Sequence, residues 1–181
     1  MRVIWEERPD AGFINISARK KEVVMNEREK IIAEFDKSRA RMRAIVAKAD
    51  SHQAIYPRWT MKEVLDHISG WDDAIIAVLN AHINGMIKDM PSVRGIDAYN
   101  AETVSTREAL SYVHSYREWE ASREAVKKLI LEVPNEKMQE SFPFPWGSSG
   151  NVAEMLRIFY KHEEEHAEEI EGIIEKGKSQ P

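Results

Sequence analysis

Residues 150–170 read GNVAEMLRIFYKHEEEHAEEI, and their pattern is that of one long amphipathic helix. Asn151 stands three residues before Glu154, an arrangement that satisfies the free N–H groups of a first helical turn. An apolar stripe follows at helical spacing and consists of Met155, Phe159, Ile170 and Ile173. We therefore expect a helix from Val152 to about Lys176.

Three more segments begin with the same kind of pair. The pairs are Asn26/Glu29, Thr60/Glu63 and Ser105/Glu108. They predict a first helix that begins after Asn26 and ends at about Lys48, and a second that begins after Thr60 and ends at about Asn84. The third runs from about Thr106 to Glu132. No segment alternates apolar and polar residues for long enough to indicate a sheet. The sequence thus predicts an all-α fold, a four-helix bundle with long connections.

We expect one domain in this chain of 181 residues, because a chain of this length can bury a sizeable core. The bundle is predicted to occupy residues 26–176. Residues 1–25 are assigned to an N-terminal extension or tail, and residues 177–181 to a C-terminal tail.

Composition excludes several kinds of site. The chain has no Cys, 26 Lys and Arg, and 31 Asp and Glu, for a formal net charge of −5. Without Cys it has no disulfide, zinc–thiolate site or thiol nucleophile of its own, so any thiol must come from outside. The net charge disfavours nucleic acid as a partner. No apolar run is long enough for a membrane span and the first residues do not form a signal peptide, so we expect a soluble, cytoplasmic protein.

Histidines interrupt the apolar stripe of the last predicted helix. His162 and His166 lie four residues apart, at inward positions where packing alone would favour Leu or Ile. His67 lies beside Trp71 at the edge of the apolar face of the second predicted helix. Three imidazoles from two helices can hold a divalent metal ion and leave positions open for water or substrate. A hydrogen-bonded polar layer in the core is the alternative. We expect nearby carboxylates to favour the charged imidazoles and so to raise their pKa values.

The run HEEEH at residues 162–166 also fits two metalloprotease motifs. Such enzymes need a further ligand and normally present a strand edge to a peptide, and neither is predicted here. Glu163 and the acidic residues after it are instead expected on a solvated face. Residues 17–48 carry ten Lys or Arg against five Asp or Glu, and residues 152–176 carry three against eight. We therefore expect the basic first helix and the acidic last helix to be neighbours.

Aromatic residues follow the predicted helix ends. The segment SFPFPWGSSG at residues 141–150 places three rings among prolines, and such a rigid loop either caps a core or forms the wall of a pocket. The pocket candidates are Tyr56, Trp59, Trp71 and Trp146. The remaining histidines lack a partner at helical spacing and are expected to be ordinary residues; they are His52, His82 and His114.

Two motifs together resemble a known family. WTMKEVLDHISGWDD at residues 59–73 and the quoted segment at residues 150–170 are similar to those of the DinB-like superfamily of four-helix bundles, over roughly residues 26–175. This superfamily includes bacillithiol-dependent transferases, mycothiol-dependent maleylpyruvate isomerase and the ClbS/DfsB group. The resemblance carries the family's metal triad onto His67, His162 and His166. It implies a divalent metal, most often nickel or zinc, and frequently a homodimer.

Two functions remain open from the sequence. In the first, the His-bound metal activates an external low-molecular-weight thiol or water toward a small electrophilic substrate, so the protein would be a transferase or hydrolase. In the second, a metal-free helical bundle binds or sequesters a small molecule or a partner through Tyr56, Trp59 and Trp146.

Overall fold

The computed structural model describes residues 26–86, 92 and 94–178, so the predicted extension at residues 1–25 lies outside the described part. The elements in chain order are α1 (Glu27–Val46), β1 (Ala54–Tyr56), β2 (Trp59–Thr60), α2 (Met61–Ile83), α3 (Ile96–Ser105), α4 (Tyr112–Glu132), α5 (Asn135–Gln139), β3 (Phe142–Pro143), β4 (Ser149–Gly150) and α6 (Val152–Lys178). The last helix therefore continues slightly beyond its predicted end.

The four long helices α1, α2, α4 and α6 form a bundle. In it α2 packs against α4 and α1 against α6, and contacts of α1 with α4 and of α2 with α6 complete the arrangement. The prediction of an all-α four-helix bundle is confirmed. The predicted pairing of the basic and acidic helices is confirmed too, since ion pairs join Lys37 to Glu164 and Arg41 to Glu171. Within the described residues, no helix is both long and apolar enough to cross a membrane.

Three of the four predicted helix starts are confirmed. Capping boxes close the first turns at Asn26 and Thr60, and Asn151 exchanges the same pair of hydrogen bonds with Glu154. The predicted start at Ser105 is wrong. Ser105 ends α3 instead, with its hydroxyl donating to the Glu102 carbonyl, and α4 begins later at the cap residue Ser111.

The short helix α3 lies directly on α2. The Tyr99 hydroxyl donates a hydrogen bond of 2.7 Å to the carbonyl of Gly70. A Cβ atom on Gly70 would stand 2.5 Å from the Cβ of Thr103, which is closer than two carbon atoms can approach. The missing side chain of Gly70 therefore allows the contact between the two helices.

Four buried charged side chains form a layer across the bundle, one from each long helix. They are Arg39 from α1, Asp72 from α2, Arg123 from α4 and Glu163 from α6, and none is more than 3% exposed. One apolar cluster packs on each side of this layer. The first cluster includes Phe35, Ile75, Val126 and Phe159. The second includes Met42, Ile68, Trp119 and Ala167.

Both cations of this charged layer contact both anions. Arg39 Nη2 and Arg123 Nη2 lie 3.3 and 2.9 Å from the Asp72 carboxylate. Arg39 Nε and Arg123 Nη1 lie 2.8 and 3.3 Å from the Glu163 carboxylate. Two positive and two negative groups balance, which is the condition under which charges are tolerated in a core. The prediction that Glu163 belongs to a solvated face is therefore wrong.

Candidate metal centre

Three imidazoles from two helices meet in the structure. His67 on α2 and His166 on α6 both approach His162, with Nε2–Nε2 distances of 3.2 and 3.0 Å. One ring nitrogen from each of the three residues lies within 4.8 Å of the others. The spacing of four residues places His162 and His166 on the same face of α6, and α2 brings the third ring to that face.

Packing fixes the position of His67. Its side chain is buried, and its ring lies 5.0 Å from the ring of Trp59, measured between centroids. Trp59 belongs to the antiparallel hairpin of β1 and β2, which leads directly into α2. The hairpin thus covers one side of the three imidazoles.

A tyrosine and a glutamate determine how His166 is protonated. The Tyr56 hydroxyl lies 2.8 Å from His166 Nδ1 and donates its own proton to Glu169 at 2.6 Å. The hydroxyl can therefore only accept from His166, which places the imidazole proton on Nδ1. The Nε2 atom of His166 is left as a lone pair that faces His162, the orientation in which metal-ligating histidines are held.

Burial keeps all three imidazoles neutral. Desolvation lowers the pKa of His67 to about 2 and the pKa of His162 to about 3, with the neighbouring imidazoles adding to both effects. Desolvation also lowers the pKa of His166, although Glu169 and Glu163 act in the opposite direction. The expectation that carboxylates raise these pKa values is therefore wrong, because the loss of hydration outweighs them. Neutral imidazole is the form that binds metals.

The three rings fit a divalent cation. Neutral His162 carries at most one proton on Nε2, so it cannot donate a full hydrogen bond to both neighbouring Nε2 atoms. A cation bound by the three Nε2 lone pairs would satisfy the Nε2 atom that hydrogen bonding among the rings leaves without a partner, and zinc and nickel both accept a set of three nitrogen ligands.

A cavity of about 850 Å³ opens beside the three histidines. All three line it, together with aromatic rings from four parts of the chain. These rings are Tyr56, Trp59, Trp71, Trp146 and Phe159. The first four are the residues that the sequence singles out as pocket candidates. Two residues of α3, Ile96 and Asn100, also line the cavity. No sequence signal marks them, because they lie in a segment that the pattern leaves as a connection.

The segment at residues 141–150 both caps the core and forms part of the cavity wall. Phe142 and Phe144 are buried in the first apolar cluster. Trp146 lies beside them, 5.2 Å from Phe144 and 5.5 Å from Phe159 between ring centroids, and faces the cavity. The loop therefore joins the core to the cavity wall.

The other histidines lie elsewhere, and the backbone N–H of His52 donates to the Asp50 carboxylate. His82 stacks on Phe142 and its Nε2 lies 2.8 Å from the Lys137 carbonyl. His114 contacts the cap residue Ser111 at the start of α4. None of them lines the cavity.

Comparison with known proteins agrees with this fold. The sequence profile of the DinB superfamily matches residues 34–170. Similar solved structures include that of the mycothiol-dependent maleylpyruvate isomerase, with a TM-score of 0.68 and 14% identity over 79% of this chain and 60% of that one. The chain thus spans 60% of the length of that isomerase. An uncharacterised protein from Escherichia coli UTI89 is similar at a TM-score of 0.70 and 11% identity, over 87% of this chain and 98% of that one. No curated protein sequence matches the chain significantly.

Proposed function

The chain belongs to the DinB superfamily, and on that basis we propose that it is a metal-dependent enzyme acting on a small electrophile. In this proposal His67, His162 and His166 hold a divalent ion, and the adjoining cavity binds an external thiol or water together with the electrophile. The observation that carries the proposal is the meeting of three Nε2 atoms at the wall of a cavity.

The proposed reaction needs a centre that lowers the pKa of the nucleophile, and a residue that keeps a histidine ligand of that centre oriented. A divalent ion, nickel or zinc by family resemblance, supplies a Lewis acid that lowers the pKa of a thiol or water at its open positions. Three histidine ligands leave at least one such position. Tyr56 contributes by holding the proton of His166 on Nδ1, so that Nε2 stays available.

The nucleophile must come from solution. The chain has no Cys, so a thiol reaction requires a separate low-molecular-weight thiol. The similar isomerase depends on mycothiol, which supports a thiol rather than water as the nucleophile. Thiol attack would make the protein a transferase, and attack by water would make it a hydrolase.

The cavity suits a small organic substrate. Its walls are mainly apolar and include five aromatic rings, which bind apolar parts of a ligand and exclude water from the space next to the histidines. The proposal also includes a homodimer, on the basis of the family resemblance, and a cytoplasmic location, on the basis of the sequence pattern.

Cobalt(II) substitution tests both parts of the proposal. The untagged protein should bind one cobalt ion per chain, and adding a thiol such as 2-mercaptoethanol should produce a sulfur-to-metal charge-transfer band. His162→Ala should abolish the band, and His82→Ala should retain it, because His82 lies outside the cavity. Binding of cobalt without any thiol-dependent band would favour water as the nucleophile. Absence of metal binding would leave the metal-free binding protein as the better account.

A further inference from the structure

The buried indole of Trp71 determines how the amide of Asn100 is oriented. Trp71 Nε1 donates a hydrogen bond of 2.9 Å to Asn100 Oδ1. Trp71 is only 6% exposed, so its N–H group needs a protein acceptor. Turning the amide over would place two donors against each other, and the Oδ1 atom must therefore face Trp71.

This orientation leaves the amide nitrogen available. Asn100 Nδ2 has no hydrogen-bond partner among the described residues, although the side chain is half-buried and lines the cavity. Two N–H donors with a fixed direction thus belong to a wall that is mainly apolar, with charged side chains from Arg58 and from the α6 residues Lys161, Glu165 and Glu169. A ligand in the cavity can satisfy them only with an acceptor oxygen or nitrogen.

The helix that carries Asn100 is itself held in place. The preceding residue, Tyr99, donates to the Gly70 carbonyl, and its ring lies 4.8 Å from the ring of Trp71. Trp71 follows His67 by one helical turn of α2. The amide of Asn100 and the imidazole of His67 are therefore positioned from the same helix.

From these contacts we infer that Asn100 is a specificity-determining residue, and that the electrophile is a largely apolar molecule with a carbonyl oxygen that accepts a hydrogen bond from Asn100 Nδ2. The inference rests on the proposed function and names its substrate class. Trp71 is the positioning residue, because it acts by orienting the amide.

Two matched probes isolate the carbonyl contact. The first is benzylideneacetone, and the second is its hydrocarbon analogue in which =CH2 replaces the carbonyl oxygen. Calorimetric titration of the full chain with each probe gives the ratio of the two dissociation constants. One neutral hydrogen bond changes such a ratio by about three- to tenfold.

Asn100→Asp keeps an oxygen for Trp71 and removes both amide donors, and Asn100→Leu removes the donors without adding a charge. Both variants should lower the preference for the ketone by about three- to tenfold. Asn80→Asp makes the same chemical change at an exposed amide of α2 that lies outside the cavity, and it should leave the ratio within about twofold of the wild-type value. Circular dichroism of each variant checks that the helices are intact.

The inference is overturned if both Asn100 variants keep the wild-type ratio, or if the wild type binds neither probe. Repeating the titrations after EDTA treatment separates this result from the proposed function. A ratio that depends on Asn100 in a chain that binds no divalent ion supports the inference and contradicts the metal-dependent enzyme. A chain that binds the ion through its histidines but shows no effect of Asn100 contradicts the inference alone.

Discussion

Arg39 of α1 and Glu163 of α6 form an ion pair of 2.8 Å, between Nε and Oε1, at the centre of the bundle, where both side chains are almost completely buried. The Glu163 carboxylate also accepts from the Ser38 hydroxyl at 3.0 Å and from Trp119 Nε1 at 3.2 Å. Glu163 thus links three of the four long helices directly next to the metal-ligand candidate His162.

We expect Glu163→Ala to lower the free energy of unfolding by about 3–5 kcal/mol, because it leaves two buried arginines with a single carboxylate. The neighbouring Glu164 provides the control. Its ion pair with Lys37 is largely solvated, so Glu164→Ala should change stability by less than about 1 kcal/mol. Urea unfolding measures the free energy of unfolding of both variants. Equal effects would show that the buried charged layer stabilises the fold no more than a surface ion pair does.

The metal proposal predicts that His67→Ala, His162→Ala and His166→Ala each weaken zinc or nickel binding by at least about a hundredfold, since two nitrogen ligands make a much poorer site. His82→Ala removes another buried imidazole and should leave the affinity unchanged. Competition with a chromophoric chelator measures the dissociation constants. Four variants of equal affinity would contradict the proposal.

Tyr56→Phe should weaken metal binding about ten- to a hundredfold, because it removes the hydroxyl that orients His166. Tyr160→Phe is the matched control on α6. The Tyr160 ring packs against Phe35, and its hydroxyl has no hydrogen bond among the described residues. If both changes affect the affinity alike, the contact between Tyr56 and His166 does not orient the ligand.

The metal-free protein should become less stable as the pH falls below about 6.5. In that range the unfolded chain protonates its histidines, at an ordinary pKa of about 6.5, whereas the folded chain keeps His67 and His162 neutral down to about 2 and 3. The unfolded state therefore binds more protons and is stabilised relative to the folded state. Above pH 6.5 neither state is protonated, and this contribution to stability is complete.

For His67 the loss amounts to about 2 kcal/mol between pH 7 and pH 5. Urea unfolding in EDTA at these two pH values should show a correspondingly smaller difference for His67→Leu than for the wild type. His114→Gln changes an exposed residue and should behave as the wild type does. A His67→Leu variant with the full pH dependence would be inconsistent with a buried neutral imidazole.

Gly70→Ala should destabilise the protein by about 1–3 kcal/mol, because the new methyl group would overlap Thr103 and push α3 away from α2. At Gly172 of α6 an added Cβ has no heavy atom within 4 Å. Gly172→Ala should instead stabilise the protein by about 0.5–1 kcal/mol through its higher helix propensity. Thermal unfolding distinguishes the two, and the same sign for both would mean that the contact between α2 and α3 is not tight.

Three of the four predicted helix starts and the pairing of His162 with His166 could be predicted from the sequence because each follows from local spacing. Caps lie three residues from their partners, and His162 and His166 lie one turn apart. The charged layer could not be predicted in this way. Glu163 follows His162 in a run of acids typical of a surface, and its partners Arg39 and Arg123 belong to distant segments.

The helix α3 and its position beside the cavity could not be predicted from local sequence patterns either. Ser105 and Glu108 have the spacing of a capping pair, but the packing of α3 on Gly70 places the end of a helix at Ser105. Tertiary contact overrides the local signal there. For the same reason Asn100, which depends on that contact for its place in the cavity, carries no pattern of its own.

The contact between α3 and Gly70 holds one part of the cavity wall in place separately from the histidines. The histidines stand on α2 and α6, whereas Ile96 and Asn100 stand on a ten-residue helix in a connection between bundle helices. The segment from Gly95 to Ser111 could therefore be exchanged for another that keeps the contact at Gly70, giving a new cavity wall with the same imidazoles. In this architecture, the residues that would hold the proposed metal ion and the α3 residues that would contact a substrate lie on separate segments, so that one set could be replaced without the other.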